Sequence, residues 1–320
     1  MANKEIDLKQ KIEKLKSLLE KCELCPRKCR VNRAAGQKGA CRAGMQPAVY
    51  SQGAHHGEEP ALSGKKGSGT IFFTHCTMSC VYCQNFAFSQ LSDAEEISIE
   101  ELGERMLKLE SQGCHNINLV SPTHYSPQIA EAVFNAKENG LTVPVVYNTS
   151  GYELPEIIKL LEGFIDIYLP DMRYSENGCA FKYSNAANYV ENNREAIKEM
   201  YKQCGDLKVD EKGIAFRGLI IRCLVLPEDI SGTEKSLEFI AGEISPDSYV
   251  SLMSQYYPVY KAESYPELSR KIKNSEYKKI TDKLESLGLH NGWVQEAPSE
   301  MDTSFGGHRI KRKDLGFLNG

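Results

Sequence analysis

Six short apolar runs, separated by stretches with helical periodicity, set the tightest limit on how this chain of 320 residues folds. The runs are Thr70–Thr74, Ile117–Val120, Val143–Tyr147, Ile165–Leu169, Leu219–Leu226 and Tyr249–Met253, each long enough for a buried strand. Between the first two, Ser98-Ile99-Glu100-Glu101 reads as a capping box, with Ile99, Leu102, Met106 and Leu109 at helical spacing and Gly113 as the stop. Ser126 and Pro127 read as an N-cap and first helical residue, with Ile129 and Val133 facing inward and Gly140 ending the helix. Further helices are expected over Glu153–Glu162, Asn185–Gln203, Thr233–Ile244 and Pro266–Leu287. Strand–helix alternation favours a parallel sheet with right-handed crossovers. No GxGxxG follows the first strand, so an α/β fold of the partial (β/α)6 TIM type, an open barrel, fits better than a dinucleotide fold. In such barrels the chemistry gathers where strands end.

Ahead of this repeat, Leu8, Ile12, Leu15 and Leu19 mark one face of an amphipathic helix over Ile6–Lys21. A cysteine-rich segment runs from Cys22 to Cys41, and Ser51–Ser68 reads as a connector. The expected division is an N-terminal helix and metal-binding segment over 1–66, the barrel over 67–296, and a tail over 297–320. The tail holds the dense basic run His308-Arg309-Ile310-Lys311-Arg312-Lys313, read as a solvated face. With 41% hydrophobic and 26% charged residues, a sizeable core is available. A net charge of −4 without a basic stripe argues against nucleic acid as a partner. No window is apolar enough for a membrane span and the N-terminus lacks a secretory h-region, so a cytoplasmic protein is expected. Eleven cysteines in a reducing compartment suggest metal ligation before disulfides.

The sharpest motif is Cys76-Thr77-Met78-Ser79-Cys80-Val81-Tyr82-Cys83, a CxxxCxxC spacing directly after the first apolar run. Three thiolates on one loop wrap one face of a small cluster but leave one iron of a [4Fe–4S] cube without a protein ligand, open to a substrate or cofactor. The competing reading is a structural zinc site with His75 as fourth ligand.

The run CTMSCVYCQN, with a strand before its first cysteine and an aromatic residue before its last, resembles the radical S-adenosylmethionine (radical SAM) superfamily. GSGTIFF, NINLVSPTHYSPQI, YNTSGYE, DIYLPDMRY and RCLVLPE are similar to segments of pyruvate formate-lyase activating enzymes, and nearest to their PflX-type homologue group. The resemblance spans roughly Gly67 to Glu296. It implies that Cys76, Cys80 and Cys83 hold three irons while the amino and carboxylate groups of S-adenosylmethionine chelate the fourth. Reductive cleavage then gives methionine and a 5′-deoxyadenosyl radical that abstracts hydrogen from a substrate. The family usually has a Gly-Gly-Glu-like segment after the second strand to hold the methionine ammonium. Here Ser121-Pro122-Thr123-His124 stands in that place, leaving Ser121 and the Thr123 hydroxyl as acceptors without the usual carboxylate. Asp171 and Arg173 match an acidic and a basic position of the activating-enzyme pattern, suited to a ribose hydroxyl and an anionic group, and Arg222 resembles the residue that contacts the methionine carboxylate. Tyr82 is expected to pack beside the cluster with its backbone near adenine.

From their own chemistry, Asn148, Thr149 and Ser150 suit a carboxylate or ribose. His124 and Tyr125 are read as structural first and as substrate-facing second, and Cys114, Cys179, Cys204 and Cys223 show no ligand spacing. Cys22, Cys25, Cys29 and Cys41 form C-x2-C-x3-C-x11-C, which closes a zinc site or ligates a second iron–sulfur cluster. Three functions follow: an activase that takes hydrogen from a backbone glycine of a partner glycyl-radical enzyme, a radical enzyme on a small molecule or another protein residue, and a non-catalytic metal protein. The first two imply an electron donor such as flavodoxin or ferredoxin.

Overall fold

The computed structural model describes residues 2–92 and 94–296; the whole expected tail, 297–320, with its basic run, lies outside them. In chain order the elements are α1 (Ala2–Ser17), β1 (Val49–His55), α2 (Pro60–Ser63), β2 (Ser68–Phe73), α3 (Ile99–Ser111), β3 (Ile117–Val120), α4 (Ser126–Glu138), β4 (Val145–Thr149) and α5 (Pro155–Leu161). There follow β5 (Ile167–Pro170), α6 (Asn177–Ser184), α7 (Tyr189–Cys204), β6 (Lys208–Val209), β7 (Ala215–Leu224), α8 (Thr233–Phe239), β8 (Tyr249–Met253), α9 (Asn274–Ser286) and β9 (Gly292–Val294). One sheet runs β1-β2-β3-β4-β5-β7-β8-β9, with β6 paired to β7. Every pairing from β2 to β9 along that path is parallel, and β1 lies antiparallel on β2. Its end strands β1 and β9 are not paired with each other, so the sheet is an open partial barrel.

All six expected strands form, two of them, β3 and β8, at the expected bounds. Five elements were not expected: β1, α2, α6, β6 and β9. β1 falls partly in the presumed connector; it is an edge strand with an exposed, glycine-containing sequence and carries little apolar signal. β9 is three residues long, and Gly292 lets it approach β8, since a Cβ there would sit 2.0 Å from the Val250 carbonyl oxygen. α6 precedes α7 as a separate helix, ended by Asn185 in the left-handed conformation. Ser98 caps α3 through the Glu101 N–H, while the Glu101 carboxylate turns to Arg105. The expected helix over Pro266–Leu287 is a 3-10 turn followed by α9, and α1 ends at Ser17 rather than Lys21. In α4, Ser126 already has helical angles and Tyr125 is the cap.

Register explains which side chains face which way. Ile71, Leu119, Tyr147 and Tyr168 are neighbours across β2 to β5 and belong to the main core with the helices. Ile12, Leu15 and Leu19 join that core, and α1 packs on α4 and α5. Burying each such aliphatic side chain stabilises the fold by roughly 1.5–3 kcal/mol. Alternation sends Val146, Ile167 and Ile220 to the opposite face, where Ala61 and Leu62 of α2 cover them. Two residues further along these strands, Asn148 and Arg222 share that inner face, and Asp171 bridges in register to Arg222. Polar groups thus meet inside the barrel one layer above an apolar floor.

Candidate functional site

The cysteine loop leaves β2 through Thr74, whose N–H reaches the Ala48 carbonyl, and through His75, which takes a left-handed φ of 71°. Ser79 and Val81 donate their N–H groups to the carbonyls of Ser184 and Tyr183 at the end of α6. Each of the three sulfurs accepts or faces a hydrogen-bonding group. Met78 N–H approaches Cys76 Sγ at 3.4 Å, Ser184 Oγ donates to Cys80 Sγ at 2.9 Å, Arg173 Nη1 lies 3.5 Å from Cys80 Sγ, and Ser89 Oγ is 3.3 Å from Cys83 Sγ. Burial, reinforced by the other thiols, pushes the Cys76 thiol up to about 12 and that of Cys83 to about 11. A bound metal reverses that preference, because a coordinating thiol is deprotonated outright.

Among the described residues, no three His, Cys, Asp or Glu side chains converge closely enough to hold one metal ion. This geometry does not assemble the zinc alternative with His75. Hydrogen bonds to the sulfurs suit thiolates that share a cluster, and the donor set therefore fits a [4Fe–4S] group.

Beside the cysteines lies a buried polar cradle. Arg222 donates from Nε to Asp171 Oδ1 at 2.7 Å and from Nη2 to Asn148 Oδ1 at 2.6 Å. Arg173 donates from Nε to Asp171 Oδ2 at 3.0 Å, so one carboxylate orients both guanidinium groups. Burial pushes the Asp171 carboxyl up, but Arg222 and Arg173 outweigh it and hold the group below the usual carboxylate range. Gly151 makes this packing possible: its φ is +72°, and a Cβ would lie 2.3 Å from the Asp171 carbonyl oxygen and 2.1 Å from Asn193 Nδ2. Asn193 Nδ2 in turn donates to the carbonyls of Gly151 and Asp171.

Asn148, Asp171, Arg173 and Arg222 are therefore brought together, with Arg173 linking them to Cys80. The other expected site residues are placed differently. Ser121 takes a φ of +59° and donates its N–H to the Asn148 carbonyl at 3.0 Å. Thr123 Oγ1 donates to the fully buried Glu153, as does Thr149 Oγ1, so the Thr123 hydroxyl is committed to a carboxyl group. The Ser150 carbonyl accepts from Tyr189. Tyr82 is buried and its hydroxyl meets that of Tyr174 at 2.6 Å. His124 is buried, its Nε2–H donates to the Thr74 carbonyl at 2.8 Å, and burial pushes its pKa down to about 3, so it is a neutral structural group. Tyr125 is fully buried against Phe73.

Sequence reasoning missed Glu58 and Glu153. Glu58, between β1 and α2, lies 3.6 Å from Arg222 Nη1, and burial, partly offset by Arg222, pushes its carboxyl up to about 7. It sits in a stretch read as a connector, so nothing marked it. Glu153 reaches Thr123 from the loop after β4, one strand away from the place where the family keeps a carboxylate; burial pushes it up to about 7. Its position in Tyr-Asn-Thr-Ser-Gly-Tyr-Glu was visible, but read as the start of a helix.

The radical SAM superfamily model matches residues 70–240, more than half of the chain. The chain is 31% identical over 290 residues to the uncharacterized protein MJ0674 of Methanocaldococcus jannaschii, covering 87% of this chain and 78% of that protein. Among solved structures it is similar to HydG, a maturase of the [FeFe]-hydrogenase, at 13% identity and a TM-score of 0.45, over 68% of this chain and 48% of that one. It is similar to TYW1 with a lysine-pyruvate adduct bound at 12% identity and a TM-score of 0.44, over 71% of this chain and 76% of that one. The chain thus spans about half the length of HydG, and likenesses this distant say nothing about its substrate. The family match agrees with the three-thiol loop: the chain belongs to the radical SAM superfamily, whose members use a [4Fe–4S] cluster and S-adenosylmethionine.

Proposed function

We propose that this protein reductively cleaves S-adenosylmethionine and abstracts a hydrogen atom from a backbone glycine of a partner enzyme, in the manner of a glycyl-radical activase. The observation that carries the radical chemistry is the hydrogen-bonded trio Cys76, Cys80 and Cys83 beside the Asp171–Arg173–Arg222 cradle. A reduced cluster with S-adenosylmethionine bound supplies a 5′-deoxyadenosyl radical, which is where the cofactors carry the hard chemistry. The residues of the chain do the rest. Cys76, Cys80 and Cys83 hold the cluster, and Ser184 and Arg173 place positive hydrogen against Cys80. Arg222 and Arg173, fixed by Asp171, offer guanidinium groups to the methionine carboxylate, and Asn148 offers an amide to the same region. The apolar floor of Val146, Ile167 and Ile220 keeps water from below the site.

The glycine substrate is supported by the likeness of DIYLPDMRY and RCLVLPE to the activating enzymes. Its test is anaerobic incubation of reduced protein with S-adenosylmethionine and a candidate glycyl-radical enzyme carrying α-deuterated glycine. Deuterium in 5′-deoxyadenosine together with a glycyl-radical signal supports activation. Cleavage without either, in the presence of every glycyl-radical enzyme of the source genome, assigns the radical to another substrate.

A further inference from the structure

The N-terminal cysteines are spread over twenty positions yet the fold gathers them into one packed segment, with Cys22, Cys25 and Cys41 buried and Cys29 half-buried. The chain is folded to bring them there. Cys22 N–H donates to the Val31 carbonyl and Arg30 N–H to the Cys22 carbonyl, closing the loop that carries Cys25 and Cys29. Gly39 packs so tightly on Cys29 that a Cβ would lie 2.9 Å from its sulfur.

The backbone around these sulfurs repeats the arrangement in the catalytic loop. There the N–H two residues on faces the sulfur, Met78 toward Cys76 and Asn85 toward Cys83. In the N-terminal segment Arg27 N–H faces Cys25 and Ala43 N–H faces Cys41 in the same way, while Ala40 N–H lies 3.4 Å from Cys29 Sγ. Such amides stabilise negative sulfur and suit thiolate ligands. Four thiolates can close a zinc site or ligate an iron–sulfur cluster, and the likeness of the amide pattern to that of the catalytic loop favours the cluster.

The two sets are also joined. Arg27, between Cys25 and Cys29, donates from Nε to the carbonyl of Thr77, between Cys76 and Cys80, and from Nη2 to the Asn185 carbonyl at 2.6 Å. Its guanidinium lies 6.0 Å from the Tyr152 ring centroid. Tyr152 stacks on Tyr189, Tyr189 packs edge-on to Tyr174, and Tyr174 bonds Ser184, the donor to Cys80.

We propose that Cys22, Cys25, Cys29 and Cys41 hold a second iron–sulfur cluster, with all its irons ligated by protein, that braces the catalytic loop through Arg27. The inference goes beyond the proposed hydrogen abstraction and does not depend on it. With four thiolates the site offers no open iron, so it binds no substrate; its effect on the catalytic cluster runs through the Thr77 carbonyl.

The test is iron and sulfide analysis with electron paramagnetic resonance on anaerobically purified full-length protein. Wild type is expected to hold about eight irons if both sites carry four-iron clusters. The count should halve in Cys25→Ala, and also in the combined Cys76→Ala, Cys80→Ala, Cys83→Ala variant, whose remaining signal should not respond to S-adenosylmethionine. That second variant keeps the question open to refutation if Cys25→Ala fails to fold. Half the iron in wild type, with one zinc that disappears in Cys25→Ala, overturns the second cluster. Arg27→Ala should keep the full iron count but change the signal of the S-adenosylmethionine-responsive cluster, with Arg27→Lys restoring part of it. An unchanged signal in Arg27→Ala overturns the brace.

Discussion

Glu153→Gln tests how the loops after β3 and β4 are held together. Glu153 is fully buried, accepts from Thr123 and Thr149, and its second carboxyl oxygen has no partner among the described residues. Burial raises its pKa from an ordinary 4.5 to about 7. Because the folded value lies above the unfolded one, the folded chain keeps a proton that the unfolded chain has lost between about pH 4.5 and 7. Stability therefore falls as pH rises through that window. A displacement of about 2.5 units is worth roughly 3.4 kcal/mol in full, and about 2 kcal/mol of it falls between about pH 5.5 and pH 8. Glutamine keeps an acceptor for the two threonines and cannot titrate. Anaerobic urea unfolding of both proteins at the two pH values should show the gap between wild type and variant shift by about 2 kcal/mol in favour of the variant at the higher pH. Other titrating groups, Glu58 and His124 among them, are common to both proteins and cancel. Unfolding curves whose separation is the same at both pH values would mean that Glu153 is ionised in the folded protein, and would refute the reasoning.

Ser184→Ala removes one hydrogen bond to Cys80 Sγ. A bond of about 1 kcal/mol that favours the reduced cluster corresponds to roughly 40 mV for one electron, so the midpoint potential should fall by that order in a spectroelectrochemical titration. Gly151→Ala forces a Cβ against the Asp171 carbonyl and a side chain into positive φ; a loss of about 2 kcal/mol or more is expected in unfolding, together with weaker cofactor binding. Arg222→Met leaves Asp171 with Arg173 alone and removes a guanidinium from the cradle. Affinity for S-adenosylmethionine should drop at least about tenfold, or 1.4 kcal/mol, by anaerobic equilibrium dialysis.

The parts of this fold that were legible in the sequence are those with a strong periodic or spacing signal. β3 and β8 are runs of four and five residues, apolar but for Asn118 and Ser251, between polar turns, and pattern alone bounds them. The cysteine loop is local, so spacing reveals its ligands without tertiary knowledge. Asn148, Asp171, Arg173 and Arg222 were found because each follows or ends a strand, and parallel register carries such residues to one end of the sheet. Glu58 was illegible because its place depends on β1 and α2 folding back over the inner face, a long-range event that leaves no periodicity. Thr123 read as a free hydroxyl because nothing local says that Glu153 will take it. Likewise the tie between Arg27 and Thr77 spans fifty residues and belongs to tertiary structure alone.

The central claim is that Cys76, Cys80 and Cys83 bind a cluster at which S-adenosylmethionine is split. Its most direct measurement is production of 5′-deoxyadenosine by anaerobically reconstituted, dithionite-reduced protein, wild type against Cys80→Ala. The account predicts formation in wild type and none above background in the variant. Equal formation in both, or none in a wild type with its cluster intact and reduced, contradicts it.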